Sequence, residues 1–128
     1  MILDSSALVA IALDEPERAA FVAKISEADA VAVAAPTLVE AGIVLSSRTG
    51  EEATELLVEL VAAADAHVIE FGDAHWQEAL SAWWRFGKSR HSANLNFGDC
   101  LTYAVASLAS QPLLYVGEDF SKTDLAPA

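Results

Sequence analysis

The segment MILDSSALVAIAL, residues 1–13, joins a short apolar strand to a helix and carries a carboxylate at the junction. The strand begins at residues 2–3 and ends at Asp4. Ser5 and Ser6 are residue types that favour helix N-termini, so they predict a helix directly after the strand. The segment therefore predicts the first unit of an alternating chain, with an acid where its strand ends.

The rest of the chain repeats this alternation of short apolar runs with helical patterns. Proline suits a first helical turn, so Pro16 marks the start of a second helix. The predicted helices cover 17–28, 37–47, 51–64, 73–86 and a long run from Asp99, and the predicted strands cover 30–35, 66–71 and 112–117. Such alternation is typical of a parallel sheet with helices on both faces. We therefore predict one α/β domain over residues 1–128, a three-layer α/β/α sandwich with a central parallel sheet.

Composition and charge exclude several classes of protein. The net charge is −12, from 19 acidic and 7 basic residues. This balance argues against a protein that binds nucleic acid by bulk electrostatics, but not against a nuclease whose acidic site reaches phosphate through metal ions. No run is apolar and long enough to span a bilayer, and the first residues lack the basic segment of a signal peptide. The single cysteine fits a reducing compartment, so we expect a cytoplasmic protein.

Four acids follow the predicted strands at equivalent places. Asp4 ends the first strand, and Glu40 lies in the first turn of the helix after the second strand. Asp119 comes just after the last strand, and Asp99 opens the helix that leads into that strand. The carboxyl ends of parallel strands lie at one edge of a sheet, which is where ligand sites form. We therefore expect three or four of these acids to converge there.

Each acid also has a purely structural interpretation. The segment TLVE, which ends at Glu40, fits a helix capping box, and spacing alone favours that role. Asp99 at a helix start interacts favourably with the helix dipole. Asp4 could belong to an ordinary helix cap, and Asp119 could be a turn residue. Glu118 is an alternative to Asp119 for any functional role. Taken one at a time, these acids do not require a functional site.

The four acids together favour chemistry over capping. Clustered carboxylates repel one another and raise each other's pKa, which is a cost that serine caps avoid. Carboxylate oxygens are the ligands that Mg²⁺ and Mn²⁺ prefer. Two such ions can activate a water molecule and stabilise the leaving oxygen of a phosphodiester. The pattern indicates a metal-dependent hydrolase.

Other catalytic chemistries fit the sequence less well. Cys100 has no evident histidine partner, so a buried structural thiol is favoured over a nucleophile. His67, His75 and His91 do not show the spacing of zinc ligands. The chain also lacks the glycine-rich motifs that bind the phosphates of nucleotides.

Four segments of the chain resemble the motif regions of PIN-domain ribonucleases, and more narrowly those of the VapC toxins of bacterial VapBC toxin–antitoxin pairs. They are MILDSSALVAIALDEPE, PTLVEAGIVL, LNFGDCLTYAVA and PLLYVGEDFSKTDL, in the family's order and across nearly the whole chain. The resemblance implies an α/β/α sandwich and Mg²⁺- or Mn²⁺-dependent endoribonuclease activity, often on tRNA or a ribosomal RNA loop.

The resemblance also implies roles for individual residues. Asp4 and Asp99 correspond to the principal metal ligands, and Glu40 and Asp119 complete the site or act through water. Ser6 corresponds to the small hydroxyl residue that supports the first aspartate. Asp124 stands where relatives also carry an acid, and a supporting role is expected for it.

The family implies two protein partners, a second copy of the chain and a VapB-type antitoxin. The basic C-terminal tail of the antitoxin places an arginine among the acids, where a cation can replace the metal. The net charge of −12 fits such a tail. The charge fits RNA poorly unless Arg85, Lys88, Arg90 and Lys122 line the approach. The first three fall within one short segment and are the candidate RNA-binding residues.

Two alternatives remain at the level of the sequence. A phospho-acceptor receiver domain has a similar length and alternation, but it needs an aspartate at the end of its central strand. Here the third strand ends in Glu70 and Phe71, and Lys122 lacks the proline that usually follows the receiver lysine. The second alternative is a PIN-like binding module without activity, whose acids only receive an arginine of a partner.

Overall fold

The central sheet has four strands, all parallel, in the order β3-β2-β1-β4. The computed structural model describes all 128 residues. The strands are short: β1 is Ile2–Leu3, β2 is Val31–Ala34, β3 is Ala66–Ile69 and β4 is Leu113–Leu114. Because β1 lies between β2 and β4, its carboxyl end is at the centre of the sheet edge.

Six α-helices connect the strands, and one short 3-10 helix follows β4. The α-helices are α1 Ser5–Ala12, α2 Arg18–Glu27, α3 Ala35–Thr49, α4 Thr54–Ala63, α5 Asp73–Phe86 and α6 Phe97–Ala109, and the 3-10 helix is Phe120–Lys122. None of the helices is long and apolar enough to cross a membrane.

The hydrophobic core has two halves, one on each face of the sheet. Successive side chains of a strand point to opposite faces, so Ile2 and Leu3 enter different halves, as do Leu113 and Leu114. The half that contains Ile2 also contains residues of α5 and α6, and the half that contains Leu3 contains residues of α1, α3 and α4. The predicted three-layer α/β/α sandwich with a parallel sheet is therefore confirmed.

Some element boundaries differ from the sequence prediction, and two of the differences affect the site. Helix α3 begins at Ala35, two residues before its predicted start at residue 37, so Pro36 lies in its first turn. Helix α6 begins at Phe97 with Asn96 as its N-cap, so Asp99 is the third residue of that helix and not its cap.

The C-terminal residues continue along the edge of the sheet beside β4. The Leu113 N–H donates to the Ala126 carbonyl (2.9 Å), and the Ala128 N–H donates to the Leu113 carbonyl (2.9 Å). The chain returns to this edge after a turn in which Gly117 has a φ of +102°, a conformation that side chains rarely adopt.

Candidate active site

The structure brings the four acids predicted from the sequence to the carboxyl edge of the sheet. Asp4 follows β1, Glu40 lies on α3, Asp99 is in the first turn of α6, and Asp119 precedes the 3-10 helix. The negative charge of Asp4 raises the pKa of both Glu40 and Asp99, and the charge of Asp119 raises the pKa of Asp99. We call these four residues the acidic cluster.

Asp4 is a buried carboxylate that serves as the N-cap of α1. Its Oδ2 accepts hydrogen bonds from the Ser6 N–H (3.0 Å) and the Ser6 hydroxyl (2.5 Å). The Ser6 oxygen in turn accepts a bond from the Val116 N–H (3.0 Å), beyond β4. Both bonds to Asp4 use Oδ2, and no buried side-chain oxygen of the protein lacks a partner. The other oxygen, Oδ1, accepts no hydrogen bond from the protein and therefore reaches solvent.

Glu40 does not form the capping box that its spacing favours, so that interpretation was wrong. Helix α3 begins five residues earlier, and the hydroxyl of Thr37 pairs with Thr102 of α6 instead. The Glu40 carboxylate lies against Gly98. Burial raises the pKa of Glu40, the charges of Asp4 and Asp99 raise it further, and the nearby Ser5 hydroxyl lowers it.

Asp99 combines a capping role with a place in the acidic cluster. Its Oδ2 accepts a hydrogen bond from the Asn96 N–H (2.7 Å), and Asn96 Oδ1 accepts one from the Asp99 N–H (2.9 Å). Burial raises the pKa of Asp99 to about 6 against the effect of the Asn96 bond, and Asp4 and Asp119 raise it further. The cap uses only one carboxylate oxygen, so the other remains available to a ligand.

Asp119 is the exposed member of the cluster, and its neighbours hold it in place. It immediately precedes Phe120, whose buried ring packs on Tyr115. The adjacent Glu118 carboxylate lies 3.3 Å from the Ser121 hydroxyl. Because Asp119, and not Glu118, acts on the pKa of Asp99, the structure favours Asp119 as the fourth acid.

The acidic cluster contains negative charge that no basic side chain neutralises. The ion pairs of the protein are Arg18–Asp14, Arg48–Glu15, Arg85–Glu78 and Arg85–Asp124, and none includes a member of the cluster. Its donors are all carboxylate oxygens, which suit a hard divalent cation. No three of the side chains lie close enough together to coordinate a metal ion as they stand, so the carboxylates would have to move closer to one another to bind one.

Arg85 and Asp124 belong to a separate polar network on the outer side of α5 and α6. Arg85 donates to Asp124 (3.2 Å), to Glu78 (3.1 Å) and to the Tyr103 hydroxyl (3.0 Å), and that hydroxyl donates to Asp124. The network ties the segment after Asp119 to the two helices. Asp124 thus lies outside the acidic cluster, and the charge of Arg85 is already paired.

The other two residues of the predicted basic patch are exposed. Lys88 is exposed at the rim of an apolar cavity between α5 and α6. The guanidinium of Arg90 stacks on Trp84, 3.7 Å from the ring centroid. Neither side chain forms an ion pair. Lys88 and Arg90 therefore remain available to an anionic ligand.

The Cys100 thiol has low reactivity although it is next to Asp99 in the sequence. The residue is buried and makes no disulfide. Burial raises the pKa of its thiol to about 11, and the charge of Asp99 adds to the shift. A thiol that remains protonated at neutral pH is a poor nucleophile. The structure thus agrees with the structural interpretation of this cysteine.

Sequence reasoning missed three residues that shape the cluster. Gly98 leaves the space that Glu40 occupies, and Thr37 and Thr102 bond to each other beneath it. The glycine directly before Asp99 was a usable signal. The threonine pair joins positions 65 residues apart, and nothing local in the sequence indicates it.

Comparison with known proteins gives a consistent result. The family profile of the PIN domain matches residues 1–125. Ribonuclease VapC36 of Mycobacterium tuberculosis is 44% identical over 126 residues, covering 98% of this chain and 91% of the relative. Ribonuclease VapC of Mycolicibacterium smegmatis is 36% identical over 126 residues, covering 98% of each chain.

Two solved structures share the fold at low sequence identity. The crystal structure of Mycobacterium tuberculosis VapC20, described as a toxin that cleaves the sarcin–ricin loop, superposes with a TM-score of 0.80 at 17% identity, covering 99% of this chain and 97% of that one. A toxin–antitoxin complex from Klebsiella pneumoniae superposes with a TM-score of 0.70 at 15% identity, covering 96% and 92%.

Proposed function

The chain belongs to the PIN-domain family and, within it, to the VapC ribonucleases, and we propose that its acidic cluster hydrolyses RNA phosphodiester bonds with Mg²⁺ or Mn²⁺. One observation carries the proposal. Four carboxylates from separate elements act on one another at the sheet edge, with raised pKa values at Glu40 and Asp99 and no basic partner. A divalent cation offsets this repulsion.

The four acids have different roles in the proposed reaction. Asp4, which is buried, and Asp99, which is half-buried, would hold the cation, because each keeps one carboxylate oxygen free of the capping bonds. Glu40 and Asp119 complete the site or accept hydrogen bonds from its water. Mg²⁺ or Mn²⁺ held there would lower the pKa of the attacking water and offset the charge on the leaving oxygen. Ser6 keeps the Asp4 carboxylate oriented through its bond to Oδ2.

The proposed substrate is RNA, with a tRNA or a ribosomal RNA loop as the target class. Lys88 and Arg90 are exposed and unpaired, so they are the cations that approach the phosphates. Arg85 contributes indirectly, because its charge is shared with Glu78 and Asp124. The net charge of −12 means that this local attraction works against repulsion from the rest of the surface.

The proposed protein partners are a second copy of the chain and a VapB-type antitoxin with a basic C-terminal tail. An arginine of that tail would neutralise the acidic cluster in place of the metal. The protein exposes apolar side chains on two surfaces, Val39, Ile43 and Val58 on α3–α4, and Trp76, Leu80, Trp84 and Phe97 around α5. Exposed apolar patches of this kind are typical of interaction surfaces.

We also propose that the PIN domain extends over residues 1–128 and acts in the cytoplasm. The backbone bond of Ala128 to Leu113 supports including the final residues in the domain. The single buried, unpaired cysteine fits a reducing compartment, and an RNA target fits the cytoplasm.

Cleavage of total bacterial RNA by the purified protein tests the proposed activity. Wild type should make discrete cuts with Mg²⁺ or Mn²⁺ and none with EDTA, and Asp99→Asn should make none. Asp73→Asn is the matched control, since Asp73 is also in the first turn of a helix but is exposed and lies on α5. Equal cutting by wild type and Asp99→Asn would contradict the proposal.

A PIN-like binding module without activity is the second candidate, since an acidic cluster without ion pairs can also receive an arginine of a partner. It predicts that the protein captures a basic antitoxin tail but binds no Mn²⁺ and cuts no RNA. The receiver-domain alternative was wrong, because the chain matches the PIN family over residues 1–125.

A further inference from the structure

Two threonine hydroxyls meet in the interior between α3 and α6. Thr37 Oγ1 and Thr102 Oγ1 are 3.0 Å apart, and the two residues are 1% and 0% exposed. Neither hydroxyl bonds to another side chain, so each depends on the other. A buried hydroxyl without a partner is costly, which means that this contact resists separation of the two helices.

The threonine pair lies one helical turn from two acids of the cluster. Thr37 precedes Glu40 by three residues on α3, and Thr102 follows Asp99 by three residues on α6. Residues three apart lie on the same side of a helix. Each helix therefore carries a threonine and an acid one turn apart, on the surface that faces the other helix.

A second contact between the same helices lies on the side of the acids. The Glu40 carboxylate rests on Gly98, where a Cβ would lie 2.3 Å from Oε2. The separation of α3 and α6 therefore affects where the Glu40 carboxylate lies relative to Asp99. The hydroxyl pair controls that separation, because a hydrogen bond tolerates a narrow range of distance, whereas an apolar contact permits sliding.

We propose that Thr37 and Thr102 are positioning residues that set the separation of the Glu40 and Asp99 carboxylates and thereby the affinity of the site for a divalent cation. The inference rests on the proposed metal-dependent function. The two threonines touch neither the ion nor the RNA, and they act only by fixing the helices that carry the acids.

Valine and serine substitutions separate positioning from simple stability. Thr37→Val and Thr102→Val each leave one buried hydroxyl without a partner, so both should lower the unfolding temperature. The double variant Thr37→Val/Thr102→Val removes both hydroxyls at nearly constant volume and should recover part of that loss. Thr37→Ser keeps the hydroxyl. Thr49→Val is the control, since Thr49 is exposed and about 18 Å further along α3.

The measurement is Mn²⁺ titration of each metal-free variant, with thermal unfolding recorded in parallel. The double variant should bind Mn²⁺ about tenfold more weakly than wild type even though its stability recovers, while Thr37→Ser and Thr49→Val bind as wild type does. A double variant that binds Mn²⁺ as tightly as wild type would overturn the inference, as would affinities that only follow unfolding temperature. A wild-type protein that binds no Mn²⁺ would overturn the proposed function, and this inference with it.

Discussion

Gly98 lies directly against the Glu40 carboxylate, and a Cβ at this position would be 2.3 Å from Oε2. The contact joins α6 to α3 at the acidic cluster, one residue before Asp99. Because the colliding atoms are the end of a flexible side chain, the collision is relieved by moving the carboxylate and not the backbone. A side chain at residue 98 therefore acts on the site more than on the fold.

Gly98→Ala should weaken Mn²⁺ binding and RNA cleavage by about tenfold while leaving the fold intact. Alanine has a higher helix propensity than glycine by up to about 1 kcal/mol, which offsets the cost of moving the Glu40 side chain, so the unfolding free energy should change by less than this amount. Gly72→Ala is the control, since a Cβ there meets no atom within 4 Å. Unchanged Mn²⁺ affinity in Gly98→Ala would show that Glu40 is not a member of the metal site.

The stability of the metal-free protein should increase as the pH falls from 7 to 5. The pKa of Asp99 is raised to about 6 in the folded protein, above the ordinary value of 3.8. The folded state therefore binds the proton more tightly than the unfolded state, and this contribution to stability is lost as pH rises through 6. Glu40 acts in the same direction, since its pKa is also raised.

Urea unfolding of wild type and Asp99→Asn at pH 5, 6 and 7 measures this contribution. The difference in unfolding free energy between the two proteins reports the contribution of residue 99. Asp99→Asn should be most stable relative to wild type at pH 7. Saturating Mn²⁺ should abolish the advantage of the variant. A difference that does not change with pH would contradict the raised pKa of Asp99.

Ser6→Ala should lower both stability and metal affinity. The substitution removes the hydroxyl that bridges Asp4 Oδ2 and the Val116 N–H, and it leaves that N–H without its partner. We expect a loss of about 1–2 kcal/mol in unfolding free energy. Ser26→Ala removes an exposed hydroxyl bonded to the Ala23 carbonyl and serves as the control, with a change of less than about 0.5 kcal/mol.

The three residues of the basic patch should separate into two classes. Arg85→Gln breaks ion pairs to Glu78 and Asp124 that are partly exposed, so it should destabilise the protein by about 1 kcal/mol. Lys88→Gln should leave stability unchanged, and Arg90→Gln should lower it by about 0.5–1 kcal/mol because the stacking on Trp84 is lost. Both should weaken RNA binding and flatten its dependence on salt.

Filter binding of RNA to inactive Asp99→Asn protein at several salt concentrations provides the test. If neutralising Lys88 and Arg90 leaves both the affinity and the salt slope unchanged, RNA approaches the acidic cluster along another surface. Chemical unfolding of the same variants measures the stability effect of Arg85 separately.

The order of elements and the meeting of the acids were predictable because both follow from local patterns. Short apolar runs alternate with helical stripes, and Asp4 directly follows a strand that must lie inside the sheet. Once the strands are parallel, their carboxyl ends share one edge. The location of the acids therefore required no knowledge of long-range packing.

The partners of individual side chains were not predictable, because distant parts of the chain supply them. The TLVE segment has the spacing of a capping box, but Thr37 finds a buried hydroxyl on α6 instead. Arg85 was expected to face RNA, but residues 7 and 39 positions away pair with it. The contacts of Thr37 with Thr102 and of Arg85 with Asp124 are tertiary, and the local sequence does not indicate them.

Direct titration of Mn²⁺ into the metal-free protein at pH 7 tests the central claim, that the acidic cluster holds the divalent cation of the ribonuclease. Wild type and Asp73→Asn should bind the ion alike, and Asp99→Asn should bind at least tenfold more weakly. Equal binding by wild type and Asp99→Asn, or no binding by either, would contradict the claim.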